Sequence, residues 1–347
     1  MEILVKENNY KINIEYKSDD KLRDFLRGRS ESKFLLITDD NVFSLYEDRI
    51  KNIMKDLSYY VFKIVPGERS KSIENYIKIN KFLVENNFNR GDAIISFGGG
   101  VVGDLGGFVA STYLRGIDFI AVPTTLLSMI DSSVGGKNGI NFMDLKNQVG
   151  SFYFPSYVHI DYSFLETLDE RNINNGLAEI FKYSVLKDRE LFDYLKSADK
   201  IDYEEIIYKS LNIKLDFVRD DERDKGKRQK LNLGHTIGHG IESLSNYKLN
   251  HGESIGIGTI YMARAAYKLG LAKDEFYKDL IEAYKKHNLP ISYDFDTDKI
   301  LEVLKHDKKI KNNIINLIIP TEIGQVISKK MNFDDLREFI ELGKDDD

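Results

Sequence analysis

The residues best suited to chemistry gather in Leu231-Asn-Leu-Gly-His235-Thr-Ile-Gly-His239-Gly-Ile-Glu242, followed by Asn250-His251-Gly-Glu253. Three of the chain's six histidines fall in this span. On a helix, His235 and His239 stand one turn apart, so their imidazoles share a face. Such a pair can grip a metal ion or set two titratable groups beside one substrate. Thr236 stands where the HExxH protease pattern needs Glu, which discounts that chemistry. His251 opens a second amphipathic stretch and adds a third nitrogen donor. Gly234, Gly238 and Gly240 leave the backbone open to close approach. A second candidate is Asn175-Gly-Leu-Ala-Glu179-Ile-Phe-Lys182-Tyr183. Glu179 sits among Leu177, Ala178, Ile180 and Phe181, where a carboxylate is expensive to bury unless paired or metal-bound. A plain surface pair of Glu179 with Lys182, one turn on, is the alternative.

The third candidate is Gly98-Gly-Gly-Val-Val-Gly103-Asp104. Its glycines let backbone N–H groups approach a pyrophosphate, and a following helix supports that charge. The match to the dinucleotide fingerprint is formal, because the loop follows the third strand and not the first. It reads as a nucleotide cradle of a different kind. Ribose contacts are expected from Asp39 and Asn41, since sheet ligands gather at the carboxyl ends of strands. Thr124 and Thr125 end another strand, and Gly135-Gly136 presents Lys137.

The elements that must hold these groups follow from periodicity. Residues 3–5 and 10–16 alternate apolar and polar around Asn8-Asn9, as a β-hairpin does. Apolar runs at 33–37, 59–65, 93–97, 117–122 and 157–160 read as strands, most of them separated by amphipathic helices. Asp40 or Asn41 is expected to cap the helix after 37, and Ser70 or Ser72 the one running to about 85. Lys146 and Asn147 are expected in a loop. From Glu170 the pattern is almost wholly helical, with a short hairpin near 314–327. Segment 220–228 reads as a charged surface loop, and His159 and His287 as structural residues. The expected class is α/β: a nucleotide-binding parallel-sheet domain over 1–162, then a mainly α-helical metal and substrate domain over 163–347.

Composition sets the outer limits. At 347 residues the chain exceeds the roughly 250–300 at which single cores usually divide, so two domains are the default. Its net charge of -6 argues against general nucleic-acid affinity. There is no cysteine, so any metal must use His and carboxylate. No signal-peptide pattern and no bilayer-length apolar run is present, and a cytoplasmic location is expected. A nucleotide cradle, a Glu/His/His set and scattered cations together suggest redox chemistry at a carbinol carbon of a polyanionic substrate.

The chain resembles the 3-dehydroquinate synthase family of sugar-phosphate cyclases from about Thr38 to Lys309. The resemblance rests on Pro66-Gly-Glu-Arg-Ser-Lys71, Gly98-Gly-Gly-Val-Val-Gly-Asp104, Tyr113-Leu-Arg-Gly116, Pro123-Thr-Thr-Leu-Leu127 and Asp131-Ser-Ser-Val-Gly-Gly-Lys137. It continues through Gly176-Leu-Ala-Glu179, Asn232-Leu-Gly-His-Thr-Ile-Gly-His239 and His251-Gly-Glu253. It implies that Glu179, His235 and His251 hold a divalent metal, zinc or cobalt, with His239 beside the substrate. It assigns NAD to Asp39, Asn41, Glu68, Lys71, Gly99, Gly100, Asp104, Thr124, Thr125, Lys146, Phe164 and Thr167. Asp131, Lys137, Lys182, Asn232 and His239 would be catalytic. Arg115, Lys137, Asn147, Lys214, Arg228 and Lys308 would bind a small sugar-phosphate substrate, with Arg115 reaching across a homodimer interface.

The implied reaction turns 3-deoxy-D-arabino-heptulosonate 7-phosphate (DAHP) into 3-dehydroquinate and phosphate. A hydride is lent to NAD, phosphate is eliminated, the hydride returns, and an intramolecular aldol closes the ring. Leu145, Ser184 and Gly240 depart from the usual family residues without touching an implied ligand. The rivals are another sugar-phosphate cyclase, a metal-dependent NAD(P) alcohol or glycerol-phosphate dehydrogenase, and a non-catalytic nucleotide sensor. Lys214, Asn232 and His239 favour the dehydroquinate type over its sister cyclases.

Overall fold

The apolar runs at 33–37, 93–97, 117–122 and 157–160 become interior strands of a mainly parallel sheet, and the run at 59–65 becomes its edge strand. The interior ones do so because only strands covered on both faces can bury consecutive side chains. The computed structural model describes residues 1–143, 145–246, 248–305 and 313–344. β1 (Glu2–Val5) and β2 (Tyr10–Glu15) form the expected antiparallel hairpin. Then come α1 (Asp19–Arg27), β3 (Lys33–Asp39), α2 (Asp40–Ile53), β4 (Ser58–Ile64), α3 (Ile73–Glu85) and β5 (Ala93–Gly98). These are followed by α4 (Gly100–Thr112), β6 (Asp118–Pro123), a hairpin of β7 (Lys137–Phe142) and β8 (Leu145–Phe152), and β9 (Tyr157–Asp161). The seven-stranded sheet runs β1-β2-β9-β6-β5-β3-β4, parallel everywhere except between β1 and β2. β5 and β9 are buried at every residue.

The strand order contains a reversal. The chain leaves β3 for β4 on one side, then returns past it to lay β5 on the other. Ile37 pairs with Ser96, so Asp39 and the Gly98–Gly100 turn end neighbouring strands. Ligands of open α/β sheets bind in the crevice at such a point.

Two local expectations need correction. Asp39, and neither Asp40 nor Asn41, caps α2: its carboxylate accepts the Val42 N–H at 2.9 Å. Lys146 and Asn147 lie on β8 and not in a loop. Gly139 and Gly150 face each other across the hairpin, and a Cβ at Gly139 would come within 2.7 Å of the Val149 carbonyl. Two glycines thus permit a strand pair that apolar periodicity does not announce. Ser72 caps α3, as one of the two expected serines.

The chain divides into two compact units. One comprises Met1–Asp169 with Tyr203–Leu211; the other comprises Glu170–Asp202 with Asn212–Asp347. The second is built from α5 (Glu170–Lys187), α6 (Arg189–Ser197), the end of α7 (Tyr203–Arg219), α8 (His235–Leu244) and α9 (His251–Lys268). It is completed by α10 (Phe276–Lys286), α11 (Thr297–Lys305), the hairpin of β10 (Ile314–Glu322) and β11 (Gln325–Asn332), and α12 (Leu336–Gly343). The hairpin is longer than expected, and α12 was not anticipated. α12 buries Leu336, Phe339, Ile340 and Gly343, and Arg264 of α9 donates to the Gly343 carbonyl at 3.0 Å. Segment 220–228 is ordered by Asp221, whose carboxylate accepts the N–H groups of Lys225, Gly226 and Arg228.

The glycines of the histidine helix have a structural partner. A Cβ on Gly258 of α9 would stand 2.3 Å from the Gly234 carbonyl, and one on Gly238 would stand 2.9 Å from the Ser254 carbonyl. α8 and α9 therefore meet backbone to backbone. Gly240 faces Ile300 of α11, whose Cγ1 would lie 2.4 Å from an added Cβ, which accounts for glycine there. Gly258→Ala should lower the unfolding free energy by about 1–3 kcal/mol, read from urea titrations; an unchanged midpoint would contradict the contact.

His159 on β9 is buried, with Nε2 3.3 Å from Ser18 Oγ and, among the described residues, no hydrogen-bond partner for Nδ1. Burial, partly opposed by Asp161 and Asp19, lowers its pKa to about 4. The unfolded chain binds this proton near pH 6.5, whereas the native state resists it. Stability present above about pH 6.5 is therefore lost as pH falls through about 4, by up to roughly 3 kcal/mol from this group. His159→Asn should flatten that part of the stability curve in denaturant titrations across the window; a slope equal to wild type would refute it.

Candidate active site

In the second unit, one face of α5 organises the N-terminus of α9. Arg171, Asn175 and Glu179 recur every four residues and so share that face. Arg171 grips the Glu253 carboxylate through two nitrogens, at 2.9 and 2.8 Å. Asn175 Oδ1 accepts the Gly252 N–H at 2.6 Å. Glu253 also closes a capping box on Asn250, accepting its N–H at 2.6 Å. With the helix start pinned in this way, His251 Nε2 stands 3.6 Å from Glu179 Oε1.

His235 reaches the same place from the first residue of α8. Its Nδ1 lies 3.0 Å from the Leu233 carbonyl. A carbonyl can only accept, so Nδ1 carries a proton, and in the neutral ring Nε2 then holds the lone pair. The His235 and His251 ring centres are 5.3 Å apart. One donor atom each from Glu179, His235 and His251 falls within 4.8 Å of the others. Glu179 is fully buried, and neither of its oxygens accepts a hydrogen bond among the described residues. Lys182 Nζ lies 2.5 Å from Oε2, near enough for charge attraction but not aligned as a donor. A buried carboxylate with two idle oxygens beside two imidazoles fits a divalent cation. Burial opposes protonation of His251, but Glu242 and then Glu179 outweigh it and hold its pKa above the ordinary histidine range.

His239, one turn along α8, brings its ring centre 5.2 Å from that of His235. Asn232 ends the turn before α8. Lys182, Lys214 and Arg228 are all buried in this unit. Arg228 donates to the Glu222 carbonyl at 2.7 Å and is not part of a solvated face. Lys308 lies outside the described residues.

The first unit gathers the nucleotide-type residues. Gly99 caps α4, whose first turn carries no acidic side chain, and an added Cβ on Gly103 would meet nothing within 4 Å. The opening N–H groups of a helix have no intrahelical acceptor, so this end suits an anion. A pocket here is lined by Gly98, Gly99, Gly103, Pro123 and Ser132. The Thr124 N–H donates to the Gly98 carbonyl at 3.0 Å, which ties the end of β6 to the glycine turn. Lys71 is buried against Asp104 at 2.9 Å and Glu68 at 3.2 Å. Burial disfavours its charge, but the two carboxylates outweigh this and raise its pKa. Asn141 of β7 donates to Glu68 Oε1 at 2.9 Å and accepts the Asn147 N–H at 2.9 Å.

Asp131 lies in a π-helical turn, Ser128–Ser132, and exposed Lys137 opens β7. Exposed Asn41 lies in the first turn of α2, and exposed Lys146 on β8. Thr125 caps the turn after β6. Phe164 packs edge-on against Tyr46, whose hydroxyl meets Thr167. Arg115 sits on an exposed turn where Leu114, Arg115 and Gly116 all have positive φ.

Arg171, Asn175 and Glu242 were not singled out from the sequence. The four-residue spacing of 171, 175 and 179 was a legible signal for the first two. Nothing local marked Glu242 as facing a residue of another helix.

Comparison with known proteins fits this arrangement. The 3-dehydroquinate synthase N-terminal model matches residues 61–175, and the C-terminal model of the same family matches 176–310. The 3-dehydroquinate synthase of Caldanaerobacter subterraneus subsp. tengcongensis is 40% identical over 93% of this chain and 94% of its own. That of Streptococcus pyogenes is 41% identical over 92% of this chain and 91% of its own. Among solved structures, the 2-epi-5-epi-valiolone synthase ValA of Streptomyces hygroscopicus subsp. jinggangensis, with NAD+ and Zn2+ bound, superposes with a TM-score of 0.88. It is 25% identical and covers 98% of this chain and 96% of its own. A 2-deoxy-scyllo-inosose synthase complexed with carbaglucose-6-phosphate, NAD+ and Co2+ shares the fold at a TM-score of 0.87, with 24% identity and 98% of each chain covered. Two abutting models and relatives matched over nine tenths of their length leave one assignment: the chain belongs to the 3-dehydroquinate synthase family.

Proposed function

We propose that this chain converts DAHP into 3-dehydroquinate and inorganic phosphate. The observation that carries the reading is the convergence of buried Glu179 with half-buried His235 and His251, in a chain matched over nine tenths of its length by 3-dehydroquinate synthases. Glu179, His235 and His251 would hold a divalent cation, zinc or cobalt, and the start of α4 would hold NAD; when bound, these groups polarise a substrate hydroxyl and take up and return a hydride.

The chain's own residues do the rest. The first turn of α4 neutralises a pyrophosphate with N–H groups, which avoids a mobile cation at that point. Lys71, fixed between Asp104 and Glu68, keeps the adjoining wall charged and rigid. Lys137 and Asn147 bind the phosphate that leaves, and Lys137 offsets the charge that grows on it. Lys214 and Arg228 hold the substrate carboxylate. Their burial makes them stronger partners for an anion than surface cations would be. Asp131, Lys182, Asn232 and His239 contact the substrate hydroxyls and fix the carbon skeleton for ring closure. Arg115, exposed on its positive-φ turn, serves a second copy of the chain in a homodimer.

The dehydroquinate reading is favoured over a sister cyclase because identity to dehydroquinate synthases is 40–41%, against 25% to the valiolone synthase.

With DAHP and NAD, the chain should release phosphate without net reduced nicotinamide, and a chelator should stop it. Accumulating reduced nicotinamide would mark a dehydrogenase instead. Lys137→Ala should lower kcat by about 10²–10³, with NAD affinity by calorimetry unchanged; near-normal turnover would remove Lys137 from the reaction. His235→Ala should strip the metal from dialysed protein, measured by elemental analysis. Wild-type metal content in that variant would overturn the ligand assignment.

A further inference from the structure

The geometry points to Glu242 as the positioning residue that orients His251 for the cation. This rests on the metal reading above and deepens it. Glu242 lies two turns into α8 from His235, is 8% exposed, and sets Oε2 3.8 Å from His251 Nδ1. The other nitrogen of the same ring faces Glu179 at 3.6 Å. His251 therefore stands between two carboxylates, one at each nitrogen.

A neutral imidazole has one lone pair, and the proton on the opposite nitrogen decides which side carries it. If Nε2 is to face the cation beside Glu179, Nδ1 must keep its proton and needs an acceptor. Glu242 is the acidic group on that side, and a small rotation of its carboxylate closes 3.8 Å to hydrogen-bond length. His235 meets the same need differently, through the Leu233 carbonyl at 3.0 Å. A carboxylate acceptor also makes the ring a stronger donor, which a carbonyl does less well.

A competing arrangement exists. His239, Glu242 and His251 also bring donor atoms within 4.8 Å of one another, so Glu242 could itself be a ligand. Burial favours Glu179. It is fully enclosed, with neither oxygen accepting a hydrogen bond among the described residues, Lys182 Nζ 2.5 Å from Oε2 and His251 Nε2 3.6 Å from Oε1, whereas Glu242 keeps 8% of its surface exposed.

The test measures Zn2+ affinity of the full chain by chelator competition, with the visible spectrum of the Co2+ form as a second readout. Glu242→Ala should weaken Zn2+ binding about 10- to 100-fold and alter the Co2+ spectrum. Glu242→Gln, which keeps an acceptor oxygen, should recover part of the loss and serves if the alanine variant does not fold. Nitrogen NMR of His251 should show the Nδ1–H form in wild type and a mixture in Glu242→Ala. Glu179→Gln should weaken binding strongly, and His239→Ala should leave Zn2+ affinity near wild type. If Glu179→Gln weakens binding and neither Glu242 variant does, the positioning role is wrong and the metal reading stands. If Glu179→Gln changes nothing, the metal reading itself falls. Equal losses in His239→Ala and Glu242→Ala would make Glu242 a ligand and overturn the inference.

Discussion

A carboxylate cut off from water with neither oxygen accepting a hydrogen bond is among the least tolerable groups in a protein interior. Glu179 is held in that condition on α5. The second unit is arranged around this constraint. Arg171 and Asn175, on the same face of α5, hold the first turn of α9 so that His251 comes to Glu179. Glycines at 234, 238 and 258 let α8 lie against α9 closely enough for His235 to join them. The backbone contact and the ion pair at the helix start are thus parts of one device. Loosening either would separate donor atoms that now lie within 4.8 Å of one another.

In the first unit the corresponding constraint is topological. Parallel strands force each connection across a face of the sheet, and the reversal between β3 and β5 leaves a crevice at their carboxyl ends. The glycine turn and Asp39 lie at that crevice whatever their individual chemistry. What the sequence adds is permission: small residues after β5, no acidic side chain in the first turn of α4, and open space beside Gly103. Lys71 then sits buried with two carboxylates, a cluster that binds the turn before α3 to α4.

Much of this was legible beforehand, for reasons that differ by element. The buried strands announced themselves because a sheet covered on both faces requires unbroken apolar runs, as in Ala93-Ile-Ile-Ser-Phe97. The helix carrying Glu179 was legible because a lone acid in an apolar stretch has few physical explanations. The β7–β8 hairpin was not, since its pairing depends on Gly139 meeting Gly150 and not on alternation. The true cap of α2 was one residue earlier than expected, because three acidic or amide residues in a row all satisfy the capping preference. Long-range partners were the least visible. Glu242 lies three residues beyond His239, yet it faces His251 of another helix, a relation fixed by packing and unmarked by spacing. Likewise Gly240 was read as open to close approach by an unspecified group, and that group is Ile300 of α11.

Lys182 shows why role and stability must be separated in such a site. It is buried, and its ammonium lies 2.5 Å from Glu179 Oε2, so it balances charge within α5 apart from the substrate role proposed for it. Deleting one member of a buried ion pair strands the other, which destabilises by roughly 3–5 kcal/mol in proteins generally. A Lys182 variant would therefore lose structure around Glu179 and substrate contact together, and lost turnover alone could not tell them apart. Lys137 differs in burial: it is exposed at the head of β7. An exposed cation can be truncated at a smaller cost to the fold than a buried one, so turnover is the more direct readout at Lys137 than at Lys182.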